Sequence, residues 1–533
     1  MQSCEKFQKE LNGLFYPLAI GLILSMPLII KGIPVGTDTA HHYRMAIGFY
    51  DCLKQGDPYP SWFASTNNGY GDPSVRFYPP LFYWLLSISN LLTQDWYFAS
   101  IVTFVLLNIL ASVGVYLWAR QLTDSSFAVA APIFYLLSPF HANQLYQSTL
   151  YTQYASMSLL PLLFALVESI LAQPKWRSSA AFGLLYALFF IINMPITVIG
   201  SLSLAIYFLA RFFQTRNQAS LQKISFGVVI GLLLSCFYWM TVVFELQWKY
   251  PSGAPQGEWY NYTKNFLFSS SLKQYLLIIL LATFGTSAIT PLYLFYQQKR
   301  VCALSVLALF SFLMSTVVSK PLWDILPPLQ ETQFPWRWLS ITSLSLSILA
   351  TISLPQIFLL WQKKRILVAT VVVITLSSLC FTVFRVIRPS VLLDRRGFLS
   401  SIEMLGSSPT NKDFLTIWAK PVQPMSSLVE AKNRTVSSVN WLPEVKTFHV
   451  TAGQTTDARL KLYYYPHWIA TSNGEKLETK PASDGAILVK LPPREAEIKV
   501  VFKEPITSKI SLLVSSIAFL FVLIIIVIKR EAI

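Results

Sequence analysis

The sequence predicts a polytopic α-helical membrane protein of about twelve spans, with a mainly β domain inserted before the last span. Three observations support this fold class: the composition, the charge of the loops, and an alternating pattern near the C-terminus. The chain has 533 residues, of which 53% are hydrophobic and 13% are charged, and its mean hydropathy is +0.49. These values are typical of membrane proteins with many spans and not of soluble domains.

Apolar segments of spanning character recur along the chain. They lie at roughly 13–31, 97–119, 126–140, 154–172, 178–193, 196–213, 224–244, 273–296, 301–318, 337–361, 365–384 and 508–528. We interpret the apolar stretch 79–93 as an interfacial helix, because Pro79-Pro80 opens it and only a few residues separate it from the next span. Lys6 and Lys9 precede the first span, but no small-residue cleavage site follows it, so we expect an uncleaved helix.

Basic residues mark one side of the predicted membrane. If the N-terminus lies in the cytoplasm, every loop on that side contains the following Lys or Arg residues: Arg120, Lys175, Arg177, Arg211, Arg216, Lys223, Lys299, Arg300, Lys363, Lys364, Arg365, Lys529 and Arg530. The positive-inside rule then places both termini on the cytoplasmic side of an inner (cytoplasmic) membrane. The outer side receives 32–96, 141–153, the tight turn 193–195, 245–272, 319–336 and 385–507. Topology also explains the net charge of +16, since the cations form no groove-sized patch for nucleic acid.

The predicted domains follow from these loops. Residues 1–384 form a membrane domain with a large first extracytoplasmic loop at 32–96, residues 385–507 form an extracytoplasmic β domain, and residues 508–533 form the final span and tail. Apolar and polar residues alternate over 458–462, 486–491 and 497–503, as in half-buried strands. Asn473-Gly474 is a hairpin turn signal. We therefore expect a small β-sandwich.

Asp38 is the first candidate functional residue. It follows the first span by a few residues, where a carboxylate is unfavourable unless it has a role. In glycosyl transfer, such a carboxylate takes the proton of the attacking hydroxyl or positions the acceptor. The alternative is a helix cap, because Thr37-Asp38-Thr39 suits a helix start.

His41 and His42 follow Asp38 at helical spacing, so all three face roughly the same way. We expect the histidines to hydrogen-bond Asp38 or a phosphate, and the alternative is an interfacial pair without a functional role. A divalent metal held with Asp51 or Asp57 is a further alternative, but the spacing is not that of a metal motif. The five cysteines form no CxxC or Cys/His cluster. We therefore predict no metal and no other cofactor.

The loop at 56–78 contains aromatic, amide and charged residues that suit a sugar site. Trp62, Tyr70 and Tyr78 are candidates for stacking on a sugar, and Asp72 and Arg76 are candidates for binding its hydroxyls. The alternative is an ordered loop made of turn residues. Its Gly-Tyr-Gly run is not a nucleotide loop, because no strand and helix flank it.

Arg337 enters a span from outside, next to Glu331 in the same loop. A guanidinium at the end of a membrane span requires an anion as its partner. A lipid phosphate is suitable, because the planar guanidinium can donate two parallel hydrogen bonds to it. The alternatives are an ion pair with Glu331 or Asp324, or extension of the side chain towards lipid headgroups. The loop 141–153 is a weaker candidate for the same site, and 248–262 is a candidate lid.

Several of these motifs together resemble one family. They are Asp38 with His42, the runs 69–71 and 77–81, the run 333–337, and Tyr-Tyr-Pro-His-Trp at 464–468. The chain resembles the bacterial membrane proteins labelled "6-pyruvoyl-tetrahydropterin synthase-related" and the similar YfhO-type proteins. Both are similar to GT-C membrane glycosyltransferases. The resemblance covers nearly the whole chain, and its motifs are moderately specific.

The resemblance implies a GT-C-like fold, a polyprenyl-phosphate sugar donor and transfer outside the membrane, with Asp38 in the acidic position after the first helix. Many GT-C enzymes have an adjacent acidic pair there, whereas Asp38 lies between Thr37 and Thr39, which weakens a metal-dependent version. Pterin chemistry is not implied, because the zinc-binding histidine cluster of a pterin synthase is missing and the five histidines are spread along the chain.

The leading interpretation is a membrane glycosyltransferase that moves a sugar from a polyprenyl-phosphate donor to a cell-envelope acceptor, which is a glycan, a lipid or a protein. Its partners are the lipid-linked donor and the membrane lipids, and nucleic acid is excluded. A flippase of a lipid-linked glycan is the alternative, although the internal repeats common in transporters are missing. A non-catalytic envelope scaffold is the third interpretation.

Overall fold

A computed structural model describes residues 2–250, 261–269, 274–285, 299–403, 415–420 and 425–528. The described residues form a large helical part and a β region between its last two long helices. Most of the candidate lid at 248–262, namely 251–260, lies outside the described residues.

Seven helices of the described residues are long and apolar enough to cross a membrane. They cover Gly13–Lys31, Trp96–Ala119, Tyr151–Ala172, Met194–Thr215, Pro335–Ile357, Arg365–Ile387 and Ile506–Val527. Two bent helix pairs raise the number to nine if each pair is one span: Ser125–Leu136 with Pro139–Tyr146, bent by 48°, and Gln218–Leu234 with Cys236–Trp248, bent by 65°. The chain is therefore a helical membrane protein with several spans, and the count of about twelve stays a prediction.

The helix bounds show why some predicted spans are absent from this count. The α-helices are Gln2–Ile23, Met26–Lys31, Thr39–Lys54, Ser74–Phe77, Leu81–Thr93, Trp96–Ala119, Ser125–Ala128, Ala130–Leu136, Pro139–Tyr146, Tyr151–Ala172, Trp176–Phe190, Met194–Thr215, Gln218–Leu234, Cys236–Glu245, Gln274–Gly285, Lys299–Met314, Lys320–Ile325, Pro327–Gln330, Leu339–Trp361, Arg365–Phe381, Arg395–Glu403 and Ile506–Ile528. Trp176–Phe190 has 15 residues, which is short for a hydrocarbon layer of about 30 Å. Gln274–Gly285 is bounded on both sides by residues outside the described part. Residues 286–298, at the end of the predicted span 273–296, lie outside the described part.

Polar side chains define several helix ends. The Asp95 carboxylate accepts hydrogen bonds from the backbone N–H groups of Tyr97 and Phe98 at 2.8 and 3.2 Å, so the helix Trp96–Ala119 begins there. Asn193 caps the helix Met194–Thr215 by accepting from the N–H of Ile196 at 3.1 Å. The 13-residue helix Leu81–Thr93 begins after Pro80, and at 1.5 Å per residue it is too short to span the membrane.

Two charged side chains pair inside the helical part. The Arg211 guanidinium contacts the Glu168 carboxylate at 2.7 and 2.9 Å, and Tyr207 donates to the same carboxylate at 2.6 Å. Arg211 and Glu168 are both buried. Charges at such depth need a partner of opposite sign, and here each provides it for the other.

The β region consists of two antiparallel sheets. Its strands are β3 (Val429–Ala431), β4 (Val436–Trp441), β5 (Val445–Val450), β6 (Asp457–Tyr463), β7 (Trp468–Ser472), β8 (Glu475–Leu477), β9 (Thr479–Pro481), β10 (Ala486–Lys490) and β11 (Ala496–Phe502). One sheet has the order β3-β6-β10-β9, and the other has the order β4-β5-β11-β7-β8. Alternate residues of both sheets meet in one apolar core, as in a sandwich.

The alternating segments predicted as strands are strands. β6, β10 and β11 overlap the runs 458–462, 486–491 and 497–503, and β6 and β11 bury every second residue over most of their length. Asn473 and Gly474 join β7 to β8 with φ of +49° and +85°, while Ser472 pairs with Glu475. Positive φ at both turn residues is the geometry of a tight hairpin, so the turn signal is confirmed.

The β region shares its core with the first loop. Trp62, Tyr70 and Phe77 are buried in the apolar cluster that the two sheets form. A short ladder adds a second connection, in which β1 (Ile33–Pro34) pairs with β2 (Leu392–Leu393). The loop after the first span and the segment before the last span therefore form one packed body.

Candidate functional site

The backbone around Asp38 is held by the segment that precedes another span. Thr37 donates its hydroxyl to the carbonyl of Ser148 at 3.1 Å, and the Asp38 N–H donates to the Thr149 hydroxyl at 3.4 Å. Thr39 folds back on Gly36, whose N–H donates to its hydroxyl at 2.9 Å. These contacts bring the first loop to the start of the helix Tyr151–Ala172.

The Asp38 side chain does not cap a helix. Asp38 stands at the position before the helix Thr39–Lys54, but its carboxylate accepts no capping hydrogen bond there. Only its backbone carbonyl takes part, by accepting from the His42 N–H at 3.0 Å. The carboxylate is partly buried, and the alternative explanation as a cap does not account for it.

Arg337 is the charged neighbour of Asp38. Burial raises the pKa of the Asp38 carboxyl above its ordinary 3.8, and the positive charge of Arg337 partly opposes this increase. The two residues come from opposite ends of the helical part, one after the first span and the other at the start of the span Pro335–Ile357. The charge of Arg337 therefore acts on the Asp38 carboxyl, although the two residues lie far apart in the chain.

The Arg337 guanidinium is buried under aromatic rings. Its Nη1 donates to the carbonyl of Thr332 at 2.7 Å, and its centre lies 4.8 Å from the ring centroid of Phe334. The arginine is 9% exposed. Asp324, proposed as a partner of Arg337, pairs instead with Lys320 at 2.7 Å.

Glu331 lies apart from this guanidinium. It is exposed at the end of the short helix Pro327–Gln330, and its side chain has no hydrogen bond or ion pair with another described residue. Arg337 thus influences Asp38 through its charge, whereas Glu331 lies on the surface of the same loop.

Tyr78 completes the group around Asp38. Its hydroxyl lies 3.3 Å from the Thr152 hydroxyl, and its ring centroid lies 5.3 Å from that of His41. Burial raises the pKa of the phenol, and the nearby Asp38 charge raises it as well, whereas Arg337 lowers it. Tyr78 is thus the residue of the 56–78 loop that the structure brings to the Asp38 site.

Burial lowers the pKa of both histidines. Burial lowers the pKa of His41 to about 4, and the charge of Arg44 lowers it further. Burial and His41 place the pKa of His42 well below its ordinary 6.5. His42 Nδ1 lies 3.0 Å from the Tyr83 hydroxyl. Burial therefore disfavours the charged form of both imidazoles, which argues against their acting as cations for a phosphate.

Trp62 and Tyr70 lie elsewhere, with their rings covered by other aromatic side chains. The Trp62 centroid lies 5.9 Å from that of Tyr465 and 5.6 Å from that of Trp468. Tyr70 packs on Tyr463 at 5.0 Å, and its hydroxyl accepts from the Met425 N–H at 3.2 Å. Because both residues fill the core of the β region, the structure offers neither ring face to a sugar.

Asp72 closes the first loop instead of facing a ligand. Its carboxylate accepts from Thr66 at 2.5 Å, from Asn67 at 2.9 Å and from the Ser74 N–H at 2.9 Å. The residue is fully buried. These bonds agree with the alternative that we weighed for this segment, an ordered loop stabilised by turn residues.

Arg76 is held between two carboxylates. Its Nε and Nη2 contact the Glu245 carboxylate at 2.6 Å each, and its Nη2 also contacts Glu504 at 3.1 Å. Tyr465 and His467 bind the same Glu245 carboxylate at 2.5 and 3.0 Å. With these partners, the Arg76 side chain is 4% exposed and has no open face for a substrate.

Sequence reasoning missed Glu245, Glu504 and the threonines of the 149–152 segment. Glu245 could have been identified from the sequence, because it is a single acidic residue at the end of an apolar helix, Cys236–Glu245. Thr149 and Thr152 carried none, since a hydroxyl in a polar loop is common and its partners come from distant residues.

The described residues contain no group of three or more His, Cys, Asp or Glu side chains that could hold a metal ion. His41 and His42 lie next to each other, with ring centroids 5.4 Å apart, but His42 contacts aromatic side chains on its other sides. The donor set expected of a zinc-dependent pterin enzyme is thus missing from this part of the chain.

The fold and these residues define a class: a helical membrane protein with several candidate spans, a partly buried carboxylate after the first of them, and a packed β region before the last. Within that class, the chain belongs to the family of membrane proteins described as the 6-pyruvoyl-tetrahydropterin synthase related domain, whose profile matches residues 75–387. The match covers more than half of the chain, and the resemblance seen in the motifs is confirmed. No protein of curated function matches the sequence.

Solved structures with a related arrangement include two glycosyltransferase chains of Mycobacteria. A mutant of arabinofuranosyltransferase AftD has a TM-score of 0.47 and 14% identity, and the match covers 69% of this chain and 27% of AftD. AftD without that mutation has a TM-score of 0.46 and 13% identity, with coverage of 70% and 27%. The chain thus spans little more than a quarter of the length of AftD.

A third solved structure is ArnT from Cupriavidus metallidurans bound to undecaprenyl phosphate. Its TM-score is 0.43 at 13% identity, and the match covers 64% of this chain and 59% of ArnT.

Proposed function

We propose that this protein is a membrane glycosyltransferase that moves a sugar from a polyprenyl-phosphate donor to a cell-envelope acceptor on the extracytoplasmic face. The observation that carries the proposal is the Asp38 carboxylate. It is partly buried, caps no helix and lies in the electrostatic field of Arg337. A base and an anion-binding group at the ends of membrane helices are the two groups that such a transfer requires.

Asp38 acts as the general base. The acceptor hydroxyl oxygen forms a bond to the anomeric carbon of the donor sugar, and the bond between that carbon and the phosphate oxygen breaks. The hydroxyl proton passes to the Asp38 carboxylate, and the bonding electrons leave with the polyprenyl phosphate. Burial supports this role because it raises the pKa of Asp38, which makes the carboxylate a stronger base than an exposed aspartate.

Arg337 holds the phosphate of the donor and of the leaving group. Its planar guanidinium fits two phosphate oxygens at once. The rings of Phe334 and Trp336 lie 4.8 and 5.9 Å from its centre and limit the access of water. Low water content strengthens the attraction between the guanidinium and a phosphate. Tyr78 and His41 are partly exposed and then contact the sugar or the acceptor as hydrogen-bonding groups. His42 is 1% exposed and bonds Tyr83, so it supports the site from within and does not contact the substrate.

The test is Asp38→Asn in purified protein with a panel of undecaprenyl-phosphate sugars, with products analysed by mass. Asn keeps the size of Asp but cannot take a proton, so turnover should fall on the order of a hundredfold or more. Folding and membrane level should not change, because the carboxylate caps no helix. Asp51→Asn is the matched control, since Asp51 lies on the same helix, Thr39–Lys54, and is also partly buried.

Two outcomes would overturn this assignment. Full turnover in Asp38→Asn would remove Asp38 as the base. Tight binding of a glycan lipid by the wild-type protein, without turnover on any donor, would favour a flippase. A scaffold predicts neither binding nor turnover, and it predicts no loss of cellular function in Asp38→Asn.

A further inference from the structure

Arg76 connects three distant parts of the chain. Its guanidinium meets Glu245 at the end of the helix Cys236–Glu245 and Glu504 just before the last span. Glu245 in turn binds Tyr465 and His467 of the β region. The Arg76 and Glu245 side chains are 4% and 2% exposed, so these contacts lie in the interior.

Stability alone does not explain a charged cluster at this position. Well-packed apolar side chains often stabilise a protein as well as a buried ion pair does, because two charges lose their hydration on burial. What the bidentate pair adds is fixed geometry, since both contacts from Arg76 to the Glu245 carboxylate measure 2.6 Å. A residue whose exact placement matters should therefore lie near Arg76.

That residue is Tyr78. Arg76 lies in the single helical turn Ser74–Phe77, which directly precedes it. A single turn is not stable by itself, and side chains of other segments hold this one. Tyr238 donates to the Phe77 carbonyl at 3.0 Å, and Tyr238 lies on the same helix as Glu245.

We propose that Arg76 is a positioning residue for the transfer reaction: Glu245 and Glu504 hold its guanidinium, which fixes the turn Ser74–Phe77 and so keeps the Tyr78 side chain against Thr152 and His41, next to Asp38. This role rests on the proposed function, and it gives the β region a part in the reaction. Through Tyr465 and His467, the β region holds Glu245 in the orientation that Arg76 requires.

The first experiment follows the environment of Tyr78 directly. 3-Fluorotyrosine is incorporated at position 78 of the full chain, and its ¹⁹F resonance is recorded in the wild-type background and in Arg76→Lys. Lysine keeps the positive charge but lacks the planar guanidinium that contacts both carboxylates. The turn Ser74–Phe77 should therefore lose its fixed orientation, and the ¹⁹F resonance of residue 78 should move or broaden. Arg211→Lys is the matched control, because Arg211 and Glu168 form a similar buried pair away from the site, and it should leave the resonance unchanged.

The second experiment measures turnover on the same variants. A misplaced Tyr78 should lower kcat on the order of tenfold in Arg76→Lys. The KM for the donor should change little, because Arg337 is intact, and Arg211→Lys should change neither constant. Tyr465→Phe gives a milder test, since it removes one hydrogen bond to Glu245 and should produce a smaller shift of the resonance in the same direction.

The outcomes separate this proposal from the proposed function. An unmoved resonance in folded Arg76→Lys overturns the positioning role, and if that variant does not fold, an unmoved resonance in Tyr465→Phe overturns it. A resonance that moves in a protein without turnover on any donor supports the positioning of Tyr78 by Arg76 and contradicts the transferase.

Discussion

At the scale of single residues, charge decides which side chains can react. His41 and Arg337 lie near Asp38, yet only the arginine brings a positive charge, because burial keeps the imidazole neutral. Arg76 is also charged, but two carboxylates neutralise it within the interior. Asp38 and Arg337 are thus the charged residues to which the proposed function assigns the acceptor and the donor phosphate.

The pH dependence of turnover should report this pair. A base works only when ionised, so turnover should be lost as pH falls through the pKa of Asp38. Burial raises that pKa above 3.8, so the loss should begin at a higher pH than for an exposed aspartate. The positive charge of Arg337 opposes this increase in the pKa of Asp38. Arg337→Gln removes that charge, so the loss of turnover on the acidic side of the pH profile (the acidic limb) should move to still higher pH.

The measurement is kcat against pH at saturating donor for the wild type, Arg337→Gln and Arg337→Lys. The lysine variant is the control, because it keeps the charge and should leave the limb where it is while weakening donor binding. An acidic limb that stays in place or moves to lower pH in Arg337→Gln would contradict the assignment of Asp38 as the titrating base.

At the scale of elements, the first loop is a folded unit and not a flexible connection. Phe63 and Asp72 form a backbone bridge across it, and Asp72 binds the residues between them. Gly71 makes this fold possible. Its φ is +69°, and a Cβ at this position would lie 2.0 Å from Trp62 Nε1 and 2.7 Å from the Phe63 carbonyl oxygen. Because Gly71 has no side chain, the loop can pack closely on Trp62, which lies in the core of the β region.

Two glycine substitutions should separate backbone strain from this close packing. Gly56 also has a positive φ, +85°, but no atom lies within 4 Å of its missing Cβ. Gly56→Ala should therefore lower the free energy of unfolding by about 1–2 kcal/mol, the cost of the left-handed backbone. Gly71→Ala adds the displacement of Trp62, and the total should reach about 3 kcal/mol or more. Denaturant unfolding in detergent measures both, and equal losses would show that the contact with Trp62 is unimportant.

At the scale of the whole molecule, the first loop and the β region form one packed body that is joined to the ends of candidate spans. Glu504 binds Arg76 just before the span Ile506–Val527, and β1 follows the first candidate span. These two connections join the body to the first and the last candidate span, and Asp38 lies in the same loop as β1. The orientation of this body determines on which face of the membrane the proposed transfer occurs.

Labelling of single cysteines should establish that orientation. Ser483 is exposed in the turn between β9 and β10, and Gln362 is exposed between the helices Leu339–Trp361 and Arg365–Phe381. The basic loops predict that Ser483→Cys reacts with a membrane-impermeant maleimide in intact spheroplasts and that Gln362→Cys reacts only after lysis. The opposite pattern would place the site in the cytoplasm and rule out transfer on the outer face.

The sequence by itself determined the membrane class, the positions of β6, β10 and β11, the hairpin at Asn473-Gly474 and the family. Each of these depends on hydrophobicity, periodicity or motifs that residues close together in the chain carry. A charge at the mouth of a span is visible without a structure, so the sequence also offered Asp38 and Arg337 as candidates, and their roles stay predictions.

The tertiary structure alone decided which candidates meet. Nothing local in the sequence distinguishes Arg76, whose partners Glu245 and Glu504 lie far along the chain, from Arg337, which reaches Asp38. Nor does it distinguish Trp62 and Tyr70, which the β region covers, from Tyr78, which stays at the site. The physical reason is that the burial and pairing of a side chain depend on segments that only the folded chain brings together.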